Sequence, residues 1–241
     1  MATSSQPAIS ILIACRNEED NILPCLESVL AALPDAEILV IDGGRDRTGD
    51  RAETLAQRHP QIRVIRHAHD QGKGHAIQTG VAQARGDVMA QFDADLQFRA
   101  ADVPTLLAPV QAGLCDVCVG SRFLPDAAWT TARPSVCRDF GNRLLARWVT
   151  LLTGRRFSDV TSGMKAWSRA AILRIDFRDK AYSYEVEMLV RAARLGLRIR
   201  EIPVHYASRT AGVSMHHNLL ALAKAGGVIA WKSLQARFRR P

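Results

Sequence analysis

Apolar runs and stretches of helical period alternate through the first half of the chain. Residues 9–14, 37–41, 62–65, 87–92 and 116–119 are short apolar runs and read as strands. Between them, residues 21–33 carry Ile22, Leu26, Val29, Leu30 and Leu33 at helical spacing. Residues 48–58 form a second such stretch, closed by His59 and Pro60, and residues 74–85 a third, stopped by Gly86. Residues 102–113 are a fourth. Strand and helix in strict alternation predict an α/β fold, a mostly parallel central sheet with helices on both faces.

The rhythm changes after about residue 125. Residues 140–152 form an amphipathic helix bearing Leu144, Leu145, Trp148 and Leu151. Residues 164–167 suit a short strand, 184–195 a helix, 197–204 an extended segment and 216–238 a last long helix. One domain over residues 1–241 is expected, with a binding half at about 8–122 and a second half at about 123–241. In the last helix Leu220, Ala223, Trp231, Leu234 and Phe238 make one apolar stripe flanked by Lys224, Lys232 and Arg239. Such a helix either docks on its own domain or lies on an anionic bilayer.

Composition narrows the class. Of 241 residues 47% are hydrophobic, enough for an ordinary core, and no apolar run reaches the roughly eighteen residues of a membrane span. No secretory signal opens the chain, and five scattered cysteines, an odd number, suit reduced thiols. These features predict a cytoplasmic protein, peripheral at the inner face of the membrane if it meets one. Cys115 and Cys118 read as packed thiols on opposite faces of a strand. The net charge is +8, and no acidic residue follows Glu201. A one-signed tail suits a membrane surface, a membrane-protein partner or a phosphate-bearing substrate. With aromatics at only 6% and no RNA-binding fingerprint, no nucleic acid beyond a nucleotide is expected.

The chemistry gathers at strand ends. In a parallel sheet the loops after the first four strands share one edge, where α/β sheets bind ligands. Asp93 and Asp95 end the fourth strand, and their i, i+2 spacing puts both carboxylates on one face. Two close carboxylates repel unless a cation sits between them, and hard oxygen ligands select Mg²⁺ or Mn²⁺. Asn17, Glu18 and Asp42, with Gly43 beside them, suit hydrogen bonds to a base or ribose. Gly72-Lys73-Gly74 opens a helix, so its N–H groups and the lysine favour phosphate. If an acceptor hydroxyl must lose a proton, Asp159, Glu185 and Glu187 are the candidate bases. Glu185 and Glu187 point about 200° apart on a helix, so one of them faces the site.

In order, these motifs resemble glycosyltransferase family 2. The similarity runs through Ile11–Glu19 with its Asn-Glu-Glu turn, Asp42 to Thr48, Gly72-Lys73-Gly74, Thr79-Gly80, Ala84 to Asp87 and Asp93 to Gln97. It continues through Gly120-Ser121-Arg122, Asp159 to Gly163, Tyr184 to Leu189, Ile202 to Val204, and Arg209, Gly212 and Ser214. The later motifs look most like the dolichyl- and polyprenyl-phosphate sugar transferases. The resemblance implies a nucleotide-diphospho-sugar transferase (GT-A) fold and a metal-dependent, inverting transfer of a hexose from a GDP- or UDP-sugar. The implied acceptor is a polyprenyl (dolichyl or undecaprenyl) phosphate. By the same resemblance Asp93, Asp95 and Gln97 match metal ligands, and Asn17, Glu18 and Asp42 match positions around the nucleotide. Arg122 matches a phosphate-contacting arginine, and Arg209 an acceptor or diphosphate contact. Met215 stands where the family commonly has a lysine, which leaves Arg209, Arg138 or the His216–His217 pair for the acceptor phosphate. Two rival readings are transfer to a soluble hydroxyl acceptor and a silent nucleotide-sugar-binding partner of a membrane protein.

Overall fold

The computed structural model describes residues 8–129, 136–207 and 219–238. Seven strands form one sheet in the order β3-β2-β1-β4-β6-β5-β7. The strands are β1 (Ile9–Cys15), β2 (Glu37–Asp42), β3 (Ile62–Arg66), β4 (Val88–Gln91), β5 (Val117–Ser121), β6 (Lys165–Ser168) and β7 (Ile199–Pro203). Strands β3, β2, β1 and β4 run parallel, as do β5 and β7. β6 lies between β4 and β5, antiparallel to both, and joins the two parallel sets. Both halves of the chain therefore contribute to a single sheet.

The central strands are buried on both faces, which is why they read as continuous apolar runs. Helices α1 (Ile22–Ala32), α2 (Thr48–Ala56) and α4 (Val103–Gln111) are placed around one apolar layer, which holds Ile11, Leu26, Val40, Leu55 and Leu106. The other layer is built on α3 (Lys73–Gln83), α5 (Val136–Thr153), α6 (Arg169–Ile175), α7 (Tyr184–Arg194) and α8 (Leu219–Phe238). It holds Leu12, Ile77, Val149, Trp167, Leu189 and Ile229. The sequence reading passes over α6, a short helix that Ser168 caps by accepting the Ala171 N–H at 3.2 Å.

Two expectations change. Cys115 precedes β5, so strand alternation does not reach it, and both thiols are buried in the same layer. Among the described side chains the docked face of α8 is Ala225, Ile229, Ser233 and Ala236; Leu220 and Ala223 of the predicted stripe lie outside them, as does Arg239. Small residues allow close approach to α5, where Trp148 Nε1 donates to Ser233 Oγ at 2.9 Å. Trp231 and Phe238 remain 61% and 74% exposed. Among the described residues, no helix is long and apolar enough to cross a membrane.

Candidate active site

Parallel pairing brings the first four strand ends to one edge. Cys15 is level with Asp42, Asp42 with Arg66, and Leu12 with Gln91. A cleft of about 400 Å³ opens there, lined by Arg16, Asn17, Gly43, Gly44, Arg45, His69 and Asp70. Asn17 adopts φ 55° and its Oδ1 accepts the Arg45 N–H at 2.9 Å. Asp42 is buried behind this wall and accepts the Gly44 N–H at 2.8 Å. A Cβ at Gly44 would stand 2.8 Å from the Asn17 nitrogen, so only glycine lets the two loops meet. Glu18 accepts from Asn21 Nδ2 at 2.6 Å, and its N–H donates to Thr48 Oγ1 at 2.8 Å. Of the predicted nucleotide residues, then, Asn17 and Gly43 line the cleft, while Asp42 and Glu18 brace the loops behind it.

Asp93 and Asp95 follow β4. Lys73 Nζ lies 2.7 Å from Asp93 Oδ1 and donates to Glu185 Oε1 at 2.9 Å. Lys165, fully buried in β6, places its Nζ 3.6 Å from Glu185 Oε2 and donates to the Ser162 carbonyl. Burial pushes the Asp93 carboxyl above its ordinary range and Asp95 adds to this, while Lys73 opposes it. Burial also works against the Lys73 ammonium, but Asp93 and Glu185 outweigh it and hold that group well above its usual range. At Lys165 burial outweighs the pull of Glu185, and Lys73 adds to it, so that ammonium is left below the usual lysine range. Beneath the pair, Tyr184 OH donates to Gln91 Oε1 at 2.8 Å and ties α7 to β4.

Leu96 adopts φ 59°, an uncommon conformation for a branched residue. The turn lets the Gln97 N–H reach Asp95 Oδ1 at 3.2 Å, while Gln97 Nε2 donates to the Ala207 carbonyl at 3.2 Å. The donor set is hard oxygen and fits Mg²⁺ or Mn²⁺. Among the described residues no group of three or more His, Cys, Asp or Glu could hold an ion alone.

On the other side of β6, Arg122 grips Asp159 with two parallel bonds, Nε to Oδ2 at 2.7 Å and Nη2 to Oδ1 at 2.9 Å. Burial alone would raise the Asp159 carboxyl, but the guanidinium wins and holds it below its ordinary range. Arg122 also lies 5.1 Å from the ring centre of Tyr206. A second cleft, of about 180 Å³, is lined by Arg122, Phe123, Leu124, Pro125, Trp129 and Arg143 among others.

Three sequence expectations are corrected by this arrangement. Glu185, not Glu187, faces Lys73; Glu187 instead accepts the Arg178 and Asp179 N–H groups at 3.2 and 2.7 Å. Asp159 is committed to Arg122 and is a poor proton acceptor. The Gly72–Gly74 turn is not open to a phosphate in the way its sequence suggests. Asp70 accepts the Gly72 N–H at 2.7 Å and the Lys180 carbonyl accepts the His75 N–H at 3.3 Å. The glycines serve packing, since a Cβ at Gly72 or Gly74 would collide with the Lys180 or Asp179 carbonyl. The sequence assigns no role to Lys165, nor to Gly163 beyond its place at the end of the Asp159–Gly163 motif. A lysine inside an apolar strand was the only signal for the first, and its partner Glu185 is remote in sequence. Arg209, His216 and His217 lie outside the described residues, as does the side chain of Arg138.

Comparison with known proteins identifies the family. The family described as Glycosyl transferase family 2 matches residues 10–174. The chain is 29% identical to undecaprenyl-phosphate mannosyltransferase of Micrococcus luteus, over 94% of this chain and 97% of that one. It is also 29% identical to polyprenol monophosphomannose synthase of Mycolicibacterium smegmatis, over 85% and 79% respectively. Its fold is similar to glucosyl-3-phosphoglycerate synthase of Mycobacterium tuberculosis, crystallised with Mn²⁺, uridine diphosphate and phosphoglyceric acid. The TM-score is 0.71 at 22% identity, over 98% of this chain and 80% of that one. The sheet, its strand-end site and the length of the family match lead to one conclusion: the chain belongs to glycosyl transferase family 2 and is a glycosyltransferase of the GT-A fold.

Proposed function

We propose that the chain moves a hexose from a nucleoside-diphosphate sugar, GDP- or UDP-linked, to a polyprenyl phosphate. The observation that carries this reading is the Asp93–Asp95 pair at the end of β4, with Lys73 on one side and the Arg122–Asp159 pair beyond β6. The donor's base and ribose would occupy the cleft lined by Asn17 and Gly43. Its diphosphate would lie toward Asp93, Asp95 and Lys73, and the acceptor toward Arg122. The acceptor phosphate oxygen attacks the anomeric carbon as the bond to the diphosphate breaks, and the pair of electrons leaves with the nucleoside diphosphate. One direct displacement inverts the anomeric centre. Asp93, Asp95 and Gln97 would hold Mg²⁺ or Mn²⁺, whose charge would offset that developing on the leaving group. Lys73 adds a second positive charge there.

The state of the carboxylates supports an acceptor that needs no base. Asp159 is locked by Arg122, Glu185 is clamped between Lys73 and Lys165, and Glu187 holds the backbone at 178–179. A phosphate monoester is already ionised near neutral pH, whereas a hydroxyl must be deprotonated. Two further observations favour a lipid. The smaller cleft mixes arginines with Phe123, Leu124, Pro125 and Trp129. Beside it α5 exposes Phe140, Leu144 and Leu151, and α8, packed on α5, exposes Trp231. We infer that these helices meet the surface of an anionic membrane.

The test is to supply GDP- and UDP-hexoses with Mg²⁺ or Mn²⁺ and either undecaprenyl phosphate in detergent or a panel of soluble phosphorylated and hydroxylated acceptors. A lipid-linked hexose is expected. Transfer to soluble acceptors alone would replace the lipid reading with the soluble one.

A further inference from the structure

Asp93 is a hemmed-in carboxylate. Lys73 Nζ sits 2.7 Å from its Oδ1, and a Cβ at Gly163 would stand 1.9 Å from its Oδ2. The Lys73 ammonium is in turn fixed by Glu185 Oε1 at 2.9 Å, and the other oxygen of Glu185 faces buried Lys165 at 3.6 Å. Asp93, Lys73, Glu185 and Lys165 thus form a row of alternating charge that sums to zero. Without substrate, the row already supplies Asp93 with a cation.

We propose that Lys73 is a built-in counter-cation that makes divalent-ion binding at Asp93 conditional on the donor's diphosphate. The inference rests on the reading of Asp93 and Asp95 as ligands of the ion. A dication arriving alone must share Asp93 with an ammonium in direct contact with it, and like charges so close repel strongly. A diphosphate removes the conflict: it offers the ammonium a second anionic partner and gives the ion further oxygen ligands. The ion and the diphosphate therefore bind together, each raising the affinity of the other by the same factor. The opposite role, in which Lys73 helps the ion by keeping Asp93 ionised and oriented, predicts the opposite sign when its charge is removed.

That sign is measured by titrating the protein with Mn²⁺ and following free Mn²⁺ by electron paramagnetic resonance, alone and with UDP or GDP. For the native chain the expected result is weak binding of the ion alone and at least tenfold tighter binding with the preferred nucleotide. For Lys73→Gln, Mn²⁺ alone should bind at least tenfold more tightly than to the native chain, and the nucleotide should add less. Lys73→Arg, which keeps the charge, should retain the native coupling. Binding of the ion alone that is unchanged or weakened in Lys73→Gln would overturn the proposal. If Lys73→Gln does not melt cooperatively, Lys73→Met is titrated against Lys73→Arg, with the same sign required. Native affinity for Mn²⁺ that is indifferent to both nucleotides would also overturn it. Asp93→Asn and Asp95→Asn separate the two levels: Mn²⁺ binding that survives both changes would overturn the site assignment itself.

Discussion

A Cβ on Gly163 would stand 1.9 Å from Oδ2 of Asp93 and 2.5 Å from its carboxyl carbon. The residue that begins the turn into β6 is therefore the back wall of the acidic site that follows β4. Its missing side chain fixes where one carboxylate lies. Gly163→Ala should push that carboxylate out of place while leaving the sheet intact. A displacement of about 1 Å at a catalytic group costs about 100-fold in rate. Turnover and a circular-dichroism melt, measured together, should show that loss with little change in melting temperature. Native turnover in the alanine variant would mean that the position of Asp93 is not critical.

Arg122 and Asp159 should matter to stability first. Asp159→Asn leaves a buried guanidinium without its carboxylate, a change expected to cost about 3–5 kcal/mol. The sign with pH follows from a folded carboxyl held below its ordinary range. Its contribution is complete above the unfolded value, near pH 4. It is lost as pH falls through the lower folded value. Urea denaturation of native and variant chains at neutral pH and near pH 3 should show the gap between them shrinking in acid. A gap that widens in acid would contradict the assignment.

Glu185 and Glu187 separate catalysis from architecture. Glu185→Gln strands Lys165, so it should lower both stability and turnover. Adding Lys165→Met, which removes the stranded charge, should restore most of the stability but not the turnover. Glu187→Gln should weaken the turn at 178–179 by about 1–3 kcal/mol, with kcat close to native once the chain is folded. Chemical denaturation and initial rates for the three variants check the pattern, which fails if Glu187→Gln loses kcat while Glu185→Gln keeps it.

The exposed faces of α5 and α8 predict binding to anionic bilayers. Flotation with phosphatidylglycerol vesicles should recover the native chain at low salt and less of it at high salt. The double change Leu144→Glu and Leu151→Glu should abolish flotation while sparing transfer to a water-soluble, short-chain prenyl phosphate. Equal flotation of both proteins would move the membrane contact elsewhere.

The first four strands are legible because a strand buried on both faces has an apolar run as its direct signature. Their parallel order followed from the alternation, and the shared edge from that order. What stayed hidden depends on distant partners. β6 carries Lys165, a charge that looks wrong for a buried strand until Glu185 is placed beside it. Gly72 and Gly74 look like a phosphate turn, but the backbone that presses on them is 179–180. Helical phase said that only one of Glu185 and Glu187 could face the site, yet phase alone cannot say which. In α8 the helix docks through Ala225, Ile229, Ser233 and Ala236, which keep helical spacing but are mostly small and include a polar residue, so the larger apolar side chains beside them mask the pattern.

The central claim is that the carboxylates of Asp93 and Asp95 hold a divalent ion against the donor's diphosphate. Anomalous diffraction from crystals grown with Mn²⁺ and the nucleoside diphosphate tests it most directly. The account predicts one strong manganese peak within coordination distance of both carboxylates and of diphosphate oxygens. A diphosphate seated in the cleft with manganese absent from that pair, or bound at other residues, would contradict it.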